Sequence, residues 1–101
     1  MKKHAYLIMC HNQFNLLKKL IMMLDNENND IYIHIDKRVK NFDQNFLKKI
    51  AKKSNVYFIK RMRVSWGGDT QIRCELRLIK EASEKRYEYY HLLSGVDFPI
   101  K

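Results

Sequence analysis

Val64-Ser65-Trp66-Gly67-Gly68-Asp69-Thr70 is the stretch that joins a predicted strand to a predicted helix, and the other segments are arranged around it. Paired glycines let a backbone turn sharply and approach a ligand closely, because no Cβ stands in the way. Asp69 or Thr70 can cap the following helix by accepting from its free N–H groups. Such a turn suits a nucleotide or a phosphate, and the alternative is a tight turn closed by a buried tryptophan.

Apolar runs alternate with helical periodicities on both sides of this stretch. The runs predict strands near residues 5–10, 31–35, 56–59 and 89–93, and helices from 14 to 24, from 43 to about 53 and from about 70 to 84. The predicted buried positions are Phe14, Leu16, Leu17, Leu20, Ile21, Met23 and Leu24 in the first helix, Phe46, Leu47 and Ile50 in the second, and Ile72, Leu76, Ile79 and Ser83 in the third. This order predicts an α/β fold with a mainly parallel four-stranded sheet, flanked by helices, in which the first strand is central.

Length and charge limit the classes of partner. The 101 residues suffice for about one small domain, and 20 basic against 11 acidic residues give a net charge of +9. This excess suits a nucleic acid, an anionic membrane face or a phosphorylated small molecule. A nucleic-acid binder is disfavoured because most aromatic residues occupy strand or helix-core positions. The lysines of the second helix, Lys48, Lys49, Lys52 and Lys53, are most simply a solvated face, with peripheral contact to an anionic membrane as the other option.

The cysteines and the N-terminus indicate a cytoplasmic protein, with the inner membrane face as a peripheral location. Cys10 and Cys74 have no metal-type partner at short spacing and do not form a disulfide framework, so we expect two reduced thiols. The apolar run after Lys2 and Lys3 is too short for a signal peptide or a membrane span.

Polar residues directly follow the predicted strands, where open parallel sheets bind ligands. These positions are His11-Asn12, Asp36-Lys37-Arg38, Ser65 to Gly68, and Ser94 to Asp97. Asp36 is placed to accept from a ribose or a base, and a turn cap is the alternative. The sequence lacks a dinucleotide fingerprint, a phosphate-binding loop and a nucleophile elbow, and it places His4, His11, His34 and His91 at no metal-ligand spacing.

Four segments together resemble the core-2/I-branching N-acetylglucosaminyltransferase family, which also includes the peptide xylosyltransferases. The segments are Ala5-Tyr6-Leu7-Ile8 through His11-Asn12, Ile31-Tyr32-Ile33-His34-Ile35-Asp36-Lys37, Val64-Ser65-Trp66-Gly67-Gly68-Asp69-Thr70, and Tyr90-His91-Leu92-Leu93-Ser94-Gly95-Val96-Asp97-Phe98-Pro99-Ile100-Lys101. They follow the family's order and spacing and cover essentially the whole chain.

The resemblance implies the nucleotide-binding half of a GT-A (Rossmann-like) glycosyltransferase domain and an inverting, N-acetylglucosaminyltransferase-like reaction with a UDP-sugar. It implies donor contacts at Ile8, Met9, Cys10, His11, Asp36, Arg38, Val64, Ser65, Trp66 and Gly67, and an active-site loop at Ser94, Gly95 and Asp97. Other GT-A enzymes carry a metal-binding Asp-x-Asp motif in that loop. This chain has one Asp there, followed by Phe98, so the resemblance implies metal-independent chemistry without a cofactor.

Compared with the family, residues 1–101 correspond to the donor-nucleotide part of a domain truncated at its C-terminus. The resemblance places the general base and the basic pair for the diphosphate beyond Lys101, so we expect no catalytic residue in this chain and no turnover by it alone. The expected partners are a UDP-sugar donor and a glycan acceptor, without nucleic acid, in a bacterial-type enzyme of polysaccharide biosynthesis. Self-association through exposed apolar surface is a further expectation. A non-enzymatic, flavodoxin-like nucleotide-binding or regulatory module is the alternative.

Overall fold

The computed structural model describes residues 3–10, 14–40, 42–65 and 68–93. Within these residues, strands and helices alternate along the chain. The elements are β1 (His4–Cys10), α1 (Phe14–Leu24), β2 (Asn29–Ile35), α2 (Gln44–Ile50), β3 (Asn55–Phe58), α3 (Asp69–Ser83) and β4 (Tyr89–Leu93).

The four described strands form one parallel sheet in the order β3-β2-β1-β4. Ile8 of β1 lies between Ile33 of β2 and Leu93 of β4, so β1 has a neighbour on each side. The predicted α/β class, the parallel pairing and the central position of β1 are therefore confirmed, and the arrangement is Rossmann-like.

The two faces of the sheet bury different sets of side chains. One face packs under α1 and α2, where Ile8 and Cys10 join the isoleucines of β2 and three residues of α1, Leu17, Leu20 and Ile21. The other face packs under α3, where Leu7 and Met9 meet Val64 and Leu78. Strand β1 is buried on both faces, as its unbroken apolar run predicts, and β2 is buried on both faces as well, although its sequence alternates.

The predicted buried stripe of α3 is wrong. Cys74, Leu78 and Ala82 face the sheet, whereas Ile72, Leu76 and Ile79 are exposed, as is Ser83. Both sets have helical spacing, and the buried one uses smaller side chains. A helix that presents cysteine and alanine can lie close to a sheet, and this close packing decides the orientation of α3.

Helices α1 and α2 also differ in detail from the sequence prediction. Met23 and Phe46, both predicted to be buried, are exposed. Asp43 caps α2 by accepting from the Phe46 N–H at 3.0 Å, and α2 ends at Ile50 rather than near residue 53. The helix ends early because both Asp25 carboxylate oxygens accept N–H groups of residues 52–54 at 2.8 Å, and this holds the chain in a turn before β3.

The start of α3 differs from the predicted cap. Its N-cap is Gly68, whose backbone is extended and which makes no side-chain cap, while Asp69 is the first helical residue. The hydroxyl of Thr70, in the first turn of α3, instead accepts from the Ser65 N–H at 2.6 Å. Among the described residues, a Cβ at Gly68 would meet Ser65 atoms at 3.5 and 3.6 Å, which is ordinary van der Waals contact.

Candidate functional site

The carboxyl edge of the sheet brings the ends of β1 and β2 together. The Asp36 N–H, one residue past β2, donates to the Cys10 carbonyl at the end of β1 at 3.0 Å. The chain after β3 then returns to this edge, because the Lys37 N–H donates to the Met62 carbonyl at 3.1 Å. Residues 36–38 and 62–65 therefore lie side by side, although more than 20 residues separate them in sequence.

The Asp36 carboxylate fastens these two segments. One oxygen accepts from the Arg38 N–H at 2.8 Å and from Arg38 Nε at 3.0 Å. The other accepts from Arg38 Nη2 at 2.8 Å and from the Val64 N–H at 3.1 Å. The Asp36 side chain is only 2% exposed. The Arg38 guanidinium and the two N–H groups hold the pKa of Asp36 well below its usual range, although burial acts in the opposite direction.

Arg38 is the exposed partner in this cluster. Its Nη2 also donates to the Val64 carbonyl at 2.5 Å, so the guanidinium spans both segments in a fixed orientation. About half of its side chain, 51%, remains exposed. A fixed, half-exposed guanidinium at the end of a parallel strand can meet a carbonyl oxygen, a hydroxyl or a phosphate with little loss of side-chain entropy.

His34, within β2 and two residues before Asp36, makes a similar contact. Its Nε2 accepts from the Met62 N–H at 2.9 Å, and burial lowers the pKa of this histidine. His34 and Asp36 thus accept from Met62 and Val64, residues that are themselves two apart. Two side chains, one in β2 and one directly after it, thus hold residues 62–64 beside the end of β2.

Arg61 secures the segment from the other side. Its Nε donates to the Ile35 carbonyl at 3.2 Å, and its Nη2 donates to the carbonyls of Asp36, at 2.8 Å, and Val39. The guanidinium carbon also lies 5.0 Å from the centre of the Phe42 ring. Arg61 belongs to a basic run in the sequence, but in the structure its hydrogen bonds connect the segment after β3 to the end of β2. We call this set of hydrogen bonds the Arg61 bracket.

The predicted donor residues fall into three groups. Ile8, Met9 and Cys10 are fully buried in the core, so their side chains support the edge from below. Asp36, Arg38, Val64 and Ser65 lie together at the edge, with Ser65 exposed. His11, Trp66, Gly67, Ser94, Gly95 and Asp97 lie outside the described residues.

Two features of the structure were not predicted from sequence. The sequence does contain a signal for the alignment of His34 with Asp36, because these two polar residues are two positions apart and are separated by an isoleucine. The second feature is a contact between His4 Nδ1 and His91 Nε2 at 3.0 Å, at the opposite edge of the sheet. These histidines are 87 residues apart and meet only because β4 pairs with β1.

Among the residues that the structure describes, no three His, Cys, Asp or Glu side chains are grouped so as to hold a metal ion. No described helix has the length and apolar character needed to cross a membrane.

The parallel sheet and the helices on its two faces define a Rossmann-like α/β protein. The profile of the Core-2/I-Branching enzymes matches residues 4–101. The chain belongs to the Core-2/I-Branching enzyme family.

Individual relatives carry xylosyltransferase names. A xylosyltransferase from Ciona intestinalis is 28% identical over 101 residues, which cover 96% of this chain and 12% of the relative. Xylosyltransferase 2 from Rattus norvegicus and from Homo sapiens are each 28% identical over 102 residues, with the same coverage. The chain thus spans 12% of the length of these relatives. They are animal proteins, so the expectation of a bacterial-type enzyme has no support from them.

Proposed function

We propose that this chain forms the donor-nucleotide-binding part of a glycosyltransferase that uses a UDP-sugar and a glycan acceptor. The observation that carries the proposal is the family match over residues 4–101, which includes all the polar segments of the carboxyl edge. The cluster of Asp36, Arg38 and Val64 supports it, because open parallel sheets bind nucleotides at this edge.

In this proposal Arg38 touches the nucleotide and Asp36 positions Arg38. A carboxylate has about four acceptor sites, and Asp36 already accepts four N–H bonds. Direct contact of Asp36 with a ribose or a base, as the sequence predicts, requires one of these donors to give way. Arg38 needs no such exchange, since its half-exposed guanidinium can donate to a uracil carbonyl or a ribose hydroxyl.

The backbone around Ser65 is the second proposed contact. The Val64 N–H and carbonyl are both engaged with the Asp36–Arg38 pair, and the Ser65 N–H donates to Thr70. Residue 65 is therefore held at the edge with its side chain exposed. Because a Cβ at Gly68 would make only ordinary van der Waals contact with the described Ser65, we propose that the glycine is there to leave room for the donor.

The reaction class follows from the family, and its chemistry requires stabilisation of the departing UDP. Positioned cations can supply this without a metal, and the resemblance to the family places the basic pair for the diphosphate beyond Lys101, whereas Lys37 and Arg38 lie on the ribose side. We propose metal-independent transfer. The xylosyltransferase names of the relatives place UDP-xylose beside UDP-N-acetylglucosamine as a donor to test.

Saturation-transfer NMR on the full chain with UDP, UDP-xylose, UDP-N-acetylglucosamine, ADP, flavin mononucleotide and single-stranded DNA tests the proposal. We expect transfer to the uracil and ribose protons of the uridine ligands. Arg38→Ala should weaken UDP binding about tenfold, the lower end for a hydrogen bond to a charged group. Arg77→Ala, on the exposed side of α3, is the matched control and should leave UDP affinity unchanged.

Three results would contradict the proposal. Preferential binding of flavin mononucleotide would favour the flavodoxin-like module. Preferential binding of DNA would favour a nucleic-acid protein. Equal UDP affinity of Arg38→Ala and the parent chain, with an unchanged circular dichroism spectrum, would remove Arg38 from the site.

A further inference from the structure

The outer surface of α1 and α2 carries an apolar groove bordered by lysines. Two adjoining hollows of about 420 and 370 Å³ share Met22, Phe46 and Ile50 as lining residues. Lys19, Lys49 and Lys52 border them. We refer to these six residues as the lysine-rimmed groove. It lies on the face of the sheet opposite α3.

The floor of the groove is apolar and open to solvent. Met22 is 64% exposed and Phe46 is 49% exposed, and neither belongs to the core under α1 and α2. Lys18 Nζ lies 5.6 Å from the centre of the Phe46 ring, so the groove combines a cation with an aromatic face. Large apolar side chains grouped on a surface and rimmed by polar ones mark an interaction site.

The charged residues described as lining the two hollows are all lysines, and Asp43 lines a neighbouring hollow that shares Lys18 and Phe46 with the first. Among the described residues that line the two hollows, none is acidic. The nearby Asp25 carboxylate is occupied by the N–H groups of residues 52–54. A third hollow beside α3 is different, because Glu81 and Glu84 line it together with its basic residues.

We propose that the lysine-rimmed groove docks on an anionic lipid bilayer. A bilayer interface takes both components of the groove, since apolar side chains enter the acyl boundary while lysines meet lipid phosphates. A soluble polyanion would meet the lysines but would leave Met22 and Ile50 in water. The signs are complementary, because the net charge of the chain is +9 and the leaflet is negative.

This docking mode keeps the carboxyl edge accessible. Helices α1 and α2 each follow the carboxyl end of a strand, so both begin at that edge. A bilayer lying along the two helices covers one face of the sheet. The cluster of Asp36, Arg38 and Val64 then remains open at the side, where a soluble nucleotide can reach it.

Vesicle co-sedimentation of the full chain tests this proposal. We expect binding to phosphatidylcholine vesicles that contain 30% phosphatidylglycerol (about one lipid in three), less binding as salt rises, and little binding to pure phosphatidylcholine. Lys49→Gln with Lys52→Gln should lower the partition coefficient about thirtyfold, since each lysine near an anionic leaflet contributes roughly fivefold. Arg77→Gln with Lys80→Gln on α3 removes the same charge and should have little effect.

A second pair of variants tests the apolar component. Met22→Ser with Phe46→Ser should lower partition into anionic vesicles at least about tenfold, because both side chains are expected to enter the interface. Ile72→Ser with Leu76→Ser on α3 is the matched control, since these residues are 57% and 59% exposed. Circular dichroism of each variant establishes that the fold is retained.

Two outcomes would overturn the proposal. If the α3 variants weaken binding as much as the groove variants, the charge of the whole chain is responsible. If an acidic polysaccharide or an oligonucleotide binds more tightly than anionic vesicles, and Met22→Ser with Phe46→Ser has no effect, the groove is a polyanion site.

Discussion

Replacing Asp36 by asparagine should lower the free energy of unfolding by about 2–4 kcal/mol. Each carboxylate oxygen accepts two N–H groups, so an amide nitrogen at either position leaves two donors without an acceptor. Hydrogen bonds to a charged group contribute roughly 1.5–3 kcal/mol each, which gives about 3–6 kcal/mol for two. The half-exposed Arg38 guanidinium regains water when the pair breaks, and this lowers the expected loss.

Asp43→Asn is the matched control for this substitution. The Asp43 carboxylate caps α2 by accepting from the Phe46 N–H at 3.0 Å, and the residue is exposed. Asparagine is about as good an N-cap as aspartate, so the change should be within about 0.5 kcal/mol. Urea unfolding at pH 7, followed by far-ultraviolet circular dichroism, measures both variants. Equal midpoints for the two would refute the assignment of Asp36 as the fastening residue.

We also expect the difference in unfolding free energy between the parent chain and Asp36→Asn to depend on pH. The pKa of Asp36 is lowered in the folded chain, and an unfolded aspartate titrates near about 3.9. The stability that Asp36 supplies is therefore complete above about pH 4 and is lost as pH falls toward the folded pKa. The difference between the parent chain and Asp36→Asn should stay constant from pH 7 to about pH 4 and narrow only below that. A difference that narrows near pH 6 would contradict this account.

Three further predictions concern the core. Leu78→Ala should cost about 2–5 kcal/mol and Leu76→Ala less than about 0.5 kcal/mol in urea unfolding, because Leu78 is buried and Leu76 is 59% exposed. Burial lowers the pKa of His34 in the folded chain. The stability that the neutral imidazole supplies is therefore complete above the unfolded pKa of about 6.5 and is lost as pH falls below it. The free energy of unfolding should differ less between pH 7.5 and pH 5.5 in His34→Gln than in the parent chain. Ellman's reagent should label Cys10 and Cys74 only after denaturant is added, because both are buried and burial raises the pKa of Cys74 to about 12.

Each of these predictions has a result that would contradict it. Similar losses for Leu78→Ala and Leu76→Ala would mean that α3 is rotated from its described orientation. An unchanged pH dependence in His34→Gln would assign the acid sensitivity to another group, such as His91, whose pKa burial also lowers. Rapid labelling of one thiol in folded protein would show that the cysteine is accessible.

The order of the elements could be predicted from sequence because β1 and β2 each have a recognisable strand pattern. Residues 5–10 of β1 form an unbroken apolar run, whereas β2 alternates, and its three isoleucines identify the face under α1 and α2. Because connections between parallel strands are short and right-handed, few arrangements of these strands and helices are possible.

The orientation of α3 could not be predicted in the same way. The face with Ile72, Leu76 and Ile79 is more hydrophobic than the face with Cys74, Leu78 and Ala82, so a rule based on hydrophobicity selects the wrong side. The distance at which a helix packs on a sheet depends on the size of its side chains, and the spacing of hydrophobic residues carries no information about their size.

The candidate site was predictable in place but not in detail. Asp36 and Val64 were both expected at the carboxyl edge, and they meet there. The bracket formed by Arg61 was not expected, because a basic residue beside other basic residues indicates solvent exposure. Its acceptors are backbone carbonyls, which no side-chain pattern identifies.

The strand order has a consequence for synthesis of the chain on the ribosome. Strand β1 is made first, but its second neighbour, β4, begins only at Tyr89. At about 5–20 residues per second, the interval between the two strands is on the order of 4–16 s. During this time one edge of β1, which contains the apolar run of residues 5–10, has no hydrogen-bonding partner in the sheet, and a free edge of this kind is a template for aggregation. The nascent chain is therefore most exposed to misassembly, and to capture by chaperones, in the seconds before its last described strand emerges.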